Sequence, residues 1–137
     1  MDNHFQKVKN YLIELNYMIR YDNENDGIFV VEHESNGIKN MVIGCADPIL
    51  IMEQFIFETD GQDPEVYKKL LQKNRDIIHG AFVLDDTGTR VVFRDTLQIE
   101  NLDLNEIEAT LNSLGLLLSE YSEEIIKFSK KSHSTAV

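Results

Sequence analysis

The stretch Gly27–Glu58, GIFVVEHESNGIKNMVIGCADPILIMEQFIFE, decides how this chain folds. Two runs rich in Val and Ile, Gly27–His33 and Ile38–Cys45, flank the dipeptide Asn36-Gly37. Asn-Gly tolerates the positive φ angles of a two-residue type I′ turn, so the runs read as a β-hairpin. In that register Glu34 faces Lys39, a favourable cross-strand pair. Asp47-Pro48 interrupts the ladder, because proline has no N–H to give. Ile49–Glu58 then reads as a strand apolar on both faces. Ile49, Ile51, Phe55 and Phe57 fall on one side, and Leu50, Met52 and Ile56 on the other. Such a strand needs cover on both faces. Helices supply one cover; the other is a second layer or a partner chain. Within the strand, Glu53 and Gln54 mark either a bend or edge, or a buried polar pair at an interface.

Working outward, Phe5, Val8, Leu12 and Leu15 follow the three-to-four spacing of one helical face over residues 3–15, with Asp2 or Asn3 at its start and Asn16 at its end. A short strand is expected at Tyr17–Tyr21. Downstream, Asp63-Pro64 is a cap followed by proline at the first helical position. It opens a helix over residues 64–77 that buries Val66, Leu70, Leu71 and Ile77. Gly80 starts a second hairpin, Ala81–Leu84 with Arg90–Leu97, turned by Asp86-Thr87-Gly88. Asp103 and Glu106 form a capping-box-like pair, and Leu102 and Ile107 a hydrophobic staple. Apolar positions then recur at Leu104, Ile107, Leu111, Leu114, Leu118, Tyr121, Ile125 and Phe128. As one helix of about 27 residues this seam is about 40 Å long, more than a small sheet covers. The expected fold is α+β: an antiparallel β-sheet (meander plus hairpin) packed with three helices in the order α-β-β-β-β-α-β-β-α. Residues 1–130 read as one domain and 131–137 as a disordered tail.

The length, 137 residues, fits that single domain. The net charge is −11, with a pI near 4.7. Nucleic acid and anionic membranes both require a basic footprint, so neither is an expected partner. Direct membrane insertion is not expected either. The longest mainly apolar stretch, Pro48–Phe57, is about half of the ~20 residues a spanning helix needs. Cys45 is the only cysteine, so no internal disulfide forms. With no apolar signal segment at the start, a cytoplasmic location is expected.

Chemical signals are weak. Asp22-Asn23-Glu24-Asn25-Asp26-Gly27 resembles the start of a calcium loop, but His33 stands where a bidentate Glu is required. Asp86-Thr87-Gly88 matches the Asp-Thr-Gly of aspartic proteases, yet the same residues make an ordinary turn. His4, His33, His79 and His133 show no zinc spacing. Cys45 has no histidine nearby in sequence and reads as an inert thiol. Arg94-Asp95 reads as a local ion pair. The acidic excess keeps the chain soluble, or else offers a docking face for a basic partner.

The order of elements, carried by Gly27–Glu58, by DPEVYKKLLQKNRDIIHGAFVLDDTGTRVVFRDTLQIENLD (residues 63–103) and by the leucine-rich last helix, resembles the type III secretion chaperone-like fold, in its YbjN/Tir-chaperone (CesT-like) branch. The resemblance covers residues 3–130. It implies a non-enzymatic binder of other proteins, usually a homodimer, with no cofactor. Some similar chains accompany membrane-stress proteins of the phage-shock type, which makes such a protein a candidate partner. The leading expectation is therefore a homodimeric chaperone-like or adaptor module. Its candidate dimer and protein-binding residues are Ile49, Ile51, Phe55, Phe57, Leu118 and Tyr121, with no catalytic or metal residue assigned. The competing expectation is a carboxylate-based metal-binding or hydrolytic protein using Asp86 or the Asp22–Asp26 turn.

Overall fold

The computed structural model describes residues 3–134. Helix α1 (His4–Glu14) leads into strands β1 (Met18–Asn23) and β2 (Ile28–His33). A single 3-10 turn (Glu34–Asn36) joins β2 to β3 (Ile38–Ala46), and β4 (Ile49–Glu58) follows. Then come α2 (Pro64–Asp76), β5 (Ala81–Leu84), β6 (Arg90–Gln98), α3 (Leu104–Glu120) and α4 (Ser122–Ser134). The six strands form one antiparallel sheet in the order β1-β2-β3-β4-β6-β5. The α+β class and the strand order along the chain are as expected.

The caps lie where the sequence put them. The Asn3 carboxamide accepts from the Gln6 N–H, the Asp63 carboxylate from the Glu65 N–H, and the Asp103 carboxylate from the Glu106 N–H. Each satisfies an amide that the first helical turn leaves open. Asn16, at φ 66°, turns the chain out of α1, and its N–H reaches the Ile13 carbonyl.

Four local expectations need correction. The β2–β3 connection is not a two-residue type I′ turn. His33 pairs with Ile38, and Glu34–Asn36 make a 3-10 turn that Gly37 closes at φ 71°. Gly37 thus supplies the positive φ, but Glu34 is not opposite Lys39. The second correction is in β4. Its register slips between Phe55 and Phe57 where it pairs with β6, so the alternation of faces shifts by one residue. Phe57 therefore turns into the core, 4% exposed, instead of lying beside Ile49, Ile51 and Phe55.

The third concerns the last helix, which is two helices. The α3 helix ends at Glu120 and α4 starts at Ser122, with the Ser122 hydroxyl donating to the Ser119 carbonyl. The Tyr121 ring between them meets Phe82 edge-on at 6.5 Å and carries the Lys73 ammonium 4.5 Å above its face. Lys73 also pairs with Glu124, so α2 holds both sides of the break. The break lets α4 lie against β4, where Phe128 packs 6.2 Å from Phe57. Among the described residues the α-helices therefore number four, not three. The fourth is Leu71, which is 70% exposed although Val66 and Leu70 on the same helix are buried. The 131–137 stretch read as a tail falls partly on α4, and residues 135–137 lie outside those described.

One core joins the helices to one face of the sheet. Phe29, Val31, Met41, Ile43, Leu50, Met52, Phe57, Val91 and Phe93 point into it from the strands. Phe5, Val8, Leu12, Val66, Leu70, Ile107, Leu111, Leu114 and Phe128 meet them from the helices. Phe5 stacks on Phe29 at 4.2 Å, and Phe82 meets Phe93 edge-on at 5.5 Å. Gln54 is the polar exception in the middle of β4. Its carboxamide donates to the Lys39 carbonyl and accepts from the Lys39 N–H. It thereby supplies the partners that a second irregularity, in β3 near Asn40 (φ 51°), takes from the ladder. At the edges, β1 is bulged between Ile19 and Tyr21, and β5 has four residues.

The 3-10 turn is clamped to α3. A β-carbon on Gly115 would sit 2.6 Å from the Asn36 carbonyl oxygen, and the Asn36 carboxamide donates to Asn112 at 3.2 Å. Replacing Gly115 by Ala is therefore expected to cost about 1–3 kcal/mol through forced separation of turn and helix. Asn112→Ala, which loses one exposed hydrogen bond, is expected to cost no more than about 1 kcal/mol. Urea midpoints at constant slope measure both, and equal midpoints would contradict the close approach.

Candidate protein-binding face

The helices cover one side of the sheet, so the other side is the surface left to read. Its rows follow from the pairing. Tyr21, Val30, Val42, Glu53 and Arg94 lie side by side across five strands. Ile28, Gly44, Ile51 and Thr96 form the next row toward one end. Phe55 and Val92 lie toward the other end. Along β4 the outer face thus reads Ile49, Ile51, Glu53, Phe55. Ile49, Val42 and Phe55 are each about two-fifths exposed, and Ile51 is half-buried. Gly44 and Ala46 flank Ile51 and Ile49 on β3. Their small size leaves the isoleucines uncovered on that side.

Charge on this face is balanced. Arg20 pairs with Glu32, Arg94 with Glu53 at 3.2 Å, and Arg90 with Glu58 at 4.0 Å. The Arg90 guanidinium also lies 4.3 Å from the Phe55 ring centroid. Three of the four arginines of the chain thus stand on the sheet, each matched by a glutamate of the next strand. Arg94 is paired across strands to Glu53 rather than to Asp95, whose carboxylate accepts the Thr96 N–H instead.

Of the residues singled out from the sequence, the structure brings Ile49, Ile51 and Phe55 together on this face and sends Phe57 to the core. Leu118 and Tyr121 lie on the opposite, helical side, both half-buried against the core. Sequence reasoning missed Val42 and the arginine–glutamate rows. The alternation Met41-Val42-Ile43 carried the signal for Val42, since its two neighbours point inward. The cross-strand ion pairs depend on the β4–β6 register, which no local pattern reveals.

The carboxylate positions do not converge. Asp22 pairs with Lys9 at 2.8 Å, and the Asn23 carboxamide accepts the Asp26 N–H as a turn does. Asp86 is exposed in the β5–β6 turn. The ordered carboxylate there is its neighbour Asp85, held below the usual range by the Thr87 hydroxyl and by Arg90. Among the described residues, no three His, Cys, Asp or Glu side chains stand where they could hold a metal. No described helix is long and apolar enough to cross a membrane.

The architecture is a single antiparallel α+β sheet with its helices on one side and an apolar, charge-balanced face on the other. The sequence profile of the CesT_Tir_1 family matches residues 1–131, and the chain belongs to that family. Solved structures agree on the fold. YbjN from E. coli superposes with a TM-score of 0.67 at 12% identity, over 88% of this chain and 92% of that one. The HopA1–SchA chaperone–effector complex gives 0.60 at 14%, over 95% and 98%. The ExsC–ExsE complex gives 0.58 at 16%, over 90% and 96%. No curated protein sequence matches the chain.

Cys45, on β3, is half-buried, and burial pushes its thiol up to about 11. The thiolate is the reactive form. At about pH 8, alkylation by iodoacetamide is therefore expected to run about a hundredfold slower than for a free cysteine, and to climb until the pH passes 11. A rate at about pH 8 like that of a free thiol would contradict the burial of this position.

Proposed function

We propose that this protein is a non-enzymatic, chaperone-like protein-binding module that works as a homodimer joined through the outer face of its sheet. The observation that carries this reading is the face itself: Ile49, Ile51, Phe55 and Val42 lie uncovered on the side opposite every helix. At about 3.4 Å per residue and about 4.8 Å between strands, ten residues of β4 and six strands give a face of at most about 800 Å². That is about what each partner brings to a standard interface. The charge pattern supports a second copy as the occupant. Two chains of net charge −11 repel. They meet at least cost where arginines already balance the carboxylates, and a two-fold axis can exchange the Arg94–Glu53 partners between copies. Membership of CesT_Tir_1, and a fold shared with chaperones solved in complex with effectors, support the protein-binding role.

Light scattering of the wild type is expected to give a dimer at micromolar concentration. Val42→Asp with Phe55→Glu buries unpaired charge in the interface and is expected to give a monomer. Both side chains are partly solvent-exposed in the single chain, so circular dichroism and the melting transition should stay close to wild type. A wild-type monomer at every concentration, or a dimer untouched by the double variant, would overturn the sheet-face dimer.

A further inference from the structure

A second uncovered apolar surface lies on the helical side, with the opposite electrostatic character. The second half of α3 reads Leu114-Gly115-Leu116-Leu117-Leu118. A helix apolar around its whole circumference is normally enclosed on all sides. Here Leu114 is buried and Leu117 and Leu118 are half-buried, but Leu116 is 71% exposed. Across a groove from it stands Ile78, on the segment between α2 and β5, 89% exposed. Ile77, Leu117 and Tyr121 floor the groove, and Asp76 and Glu120 stand along it with no lysine or arginine among the lining residues. On its far side Leu116 borders a second groove that Glu34 lines, again without a lysine or arginine. Asp76, Glu120 and Glu34 make no ion pair among the described residues. The sheet face neutralises its charges within the chain; this groove leaves its carboxylates open beside exposed aliphatic side chains.

We propose that the groove between Ile78 and Leu116 docks a basic amphipathic segment of a partner protein, an aliphatic anchor entering between these two side chains and lysines or arginines meeting Asp76 and Glu120. This rests on the protein-binding reading and names the partner's chemistry. A second copy of this chain does not fit that description. It is strongly acidic overall, and three of its four arginines are committed to glutamates on the sheet. The same groove charge that attracts a basic segment repels another acidic chain. Tyr121, at the α3–α4 break, is shared by the groove and by the Lys73 contact, so the groove floor is fixed from beneath by α2.

The probe is a synthetic peptide of about fifteen residues with leucines at helical three-to-four spacing and lysines between them. Its control carries glutamates in place of the lysines. Fluorescence anisotropy is expected to show the lysine peptide bound by the wild type, more weakly as salt rises. Ile78→Ser with Leu116→Ser is expected to weaken binding about tenfold or more, the loss of about 1.4 kcal/mol of contact. Asp76→Lys with Glu120→Lys is expected to act in the same direction. All four side chains are exposed, so both variants should keep the wild-type melting transition and oligomeric state. The Val42→Asp, Phe55→Glu double variant should bind the peptide as the wild type does. Equal binding of both peptides, or binding unchanged by the groove variants, would overturn the proposal. So would groove variants that dissociate a wild-type dimer, since the occupant would then be a second copy. No binding by a wild-type dimer would sink the groove and leave the sheet-face reading standing; peptide binding by a wild-type monomer would do the reverse.

Discussion

Strand β4 pairs with β6 along its length and with β3 over Ile49–Glu53, so it lies inside the sheet and its side chains decide what packs against it. It has apolar residues for two sides and helices for one. The slip between Phe55 and Phe57 divides the difference. Before it, Leu50, Met52 and Gln54 face the helices; after it, Phe57 does, in time to meet Phe128 of α4. Without the slip, Phe57 would face outward and α4 would lose its aromatic partner on the sheet. The outer residues Ile49, Ile51 and Phe55 are what remains once the helical core is filled.

The charges are sorted by surface in the same way. The arginines of the sheet are neutralised within the chain, and most of the net charge of −11 lies outside the strands. A face that is apolar and locally neutral suits a like-charged copy, whereas an apolar groove lined by open carboxylates suits a basic chain. The two surfaces lie on opposite sides of one sandwich of helices and sheet, so filling one does not block the other.

Much of this was legible in the sequence because it rests on local rules. Asn3, Asp63 and Asp103 are caps by side-chain chemistry, and Asn16 ends α1 because asparagine tolerates positive φ. The bounds of β4 follow from Pro48 and from the end of its apolar run. The misses share a different origin. The slip in β4, the Gln54 bridge to Lys39 and the Arg94–Glu53 pair all depend on which strand lies next to β4, and that is set by the whole sheet. The break at Tyr121 was hidden because the three-to-four spacing runs through it without a fault. At the break the Tyr121 ring meets Lys73 and Phe82, both distant in sequence, so the contacts made there leave no local pattern. At the β2–β3 turn Asn-Gly gave the right place and the wrong geometry, since Asn36 is drawn to Asn112 on α3.

The two rims of the sheet carry their own lesson. A bulge distorts β1 beside Arg20, and β5 offers four residues. Neither presents a long, flat ladder of free amides on which a further strand could add. Growth by strand addition is thereby discouraged at both ends, and whatever meets the sheet meets it broadside. A contact made broadside about a two-fold axis uses up the surface that made it and is complete at two members, with nothing left to seed a filament.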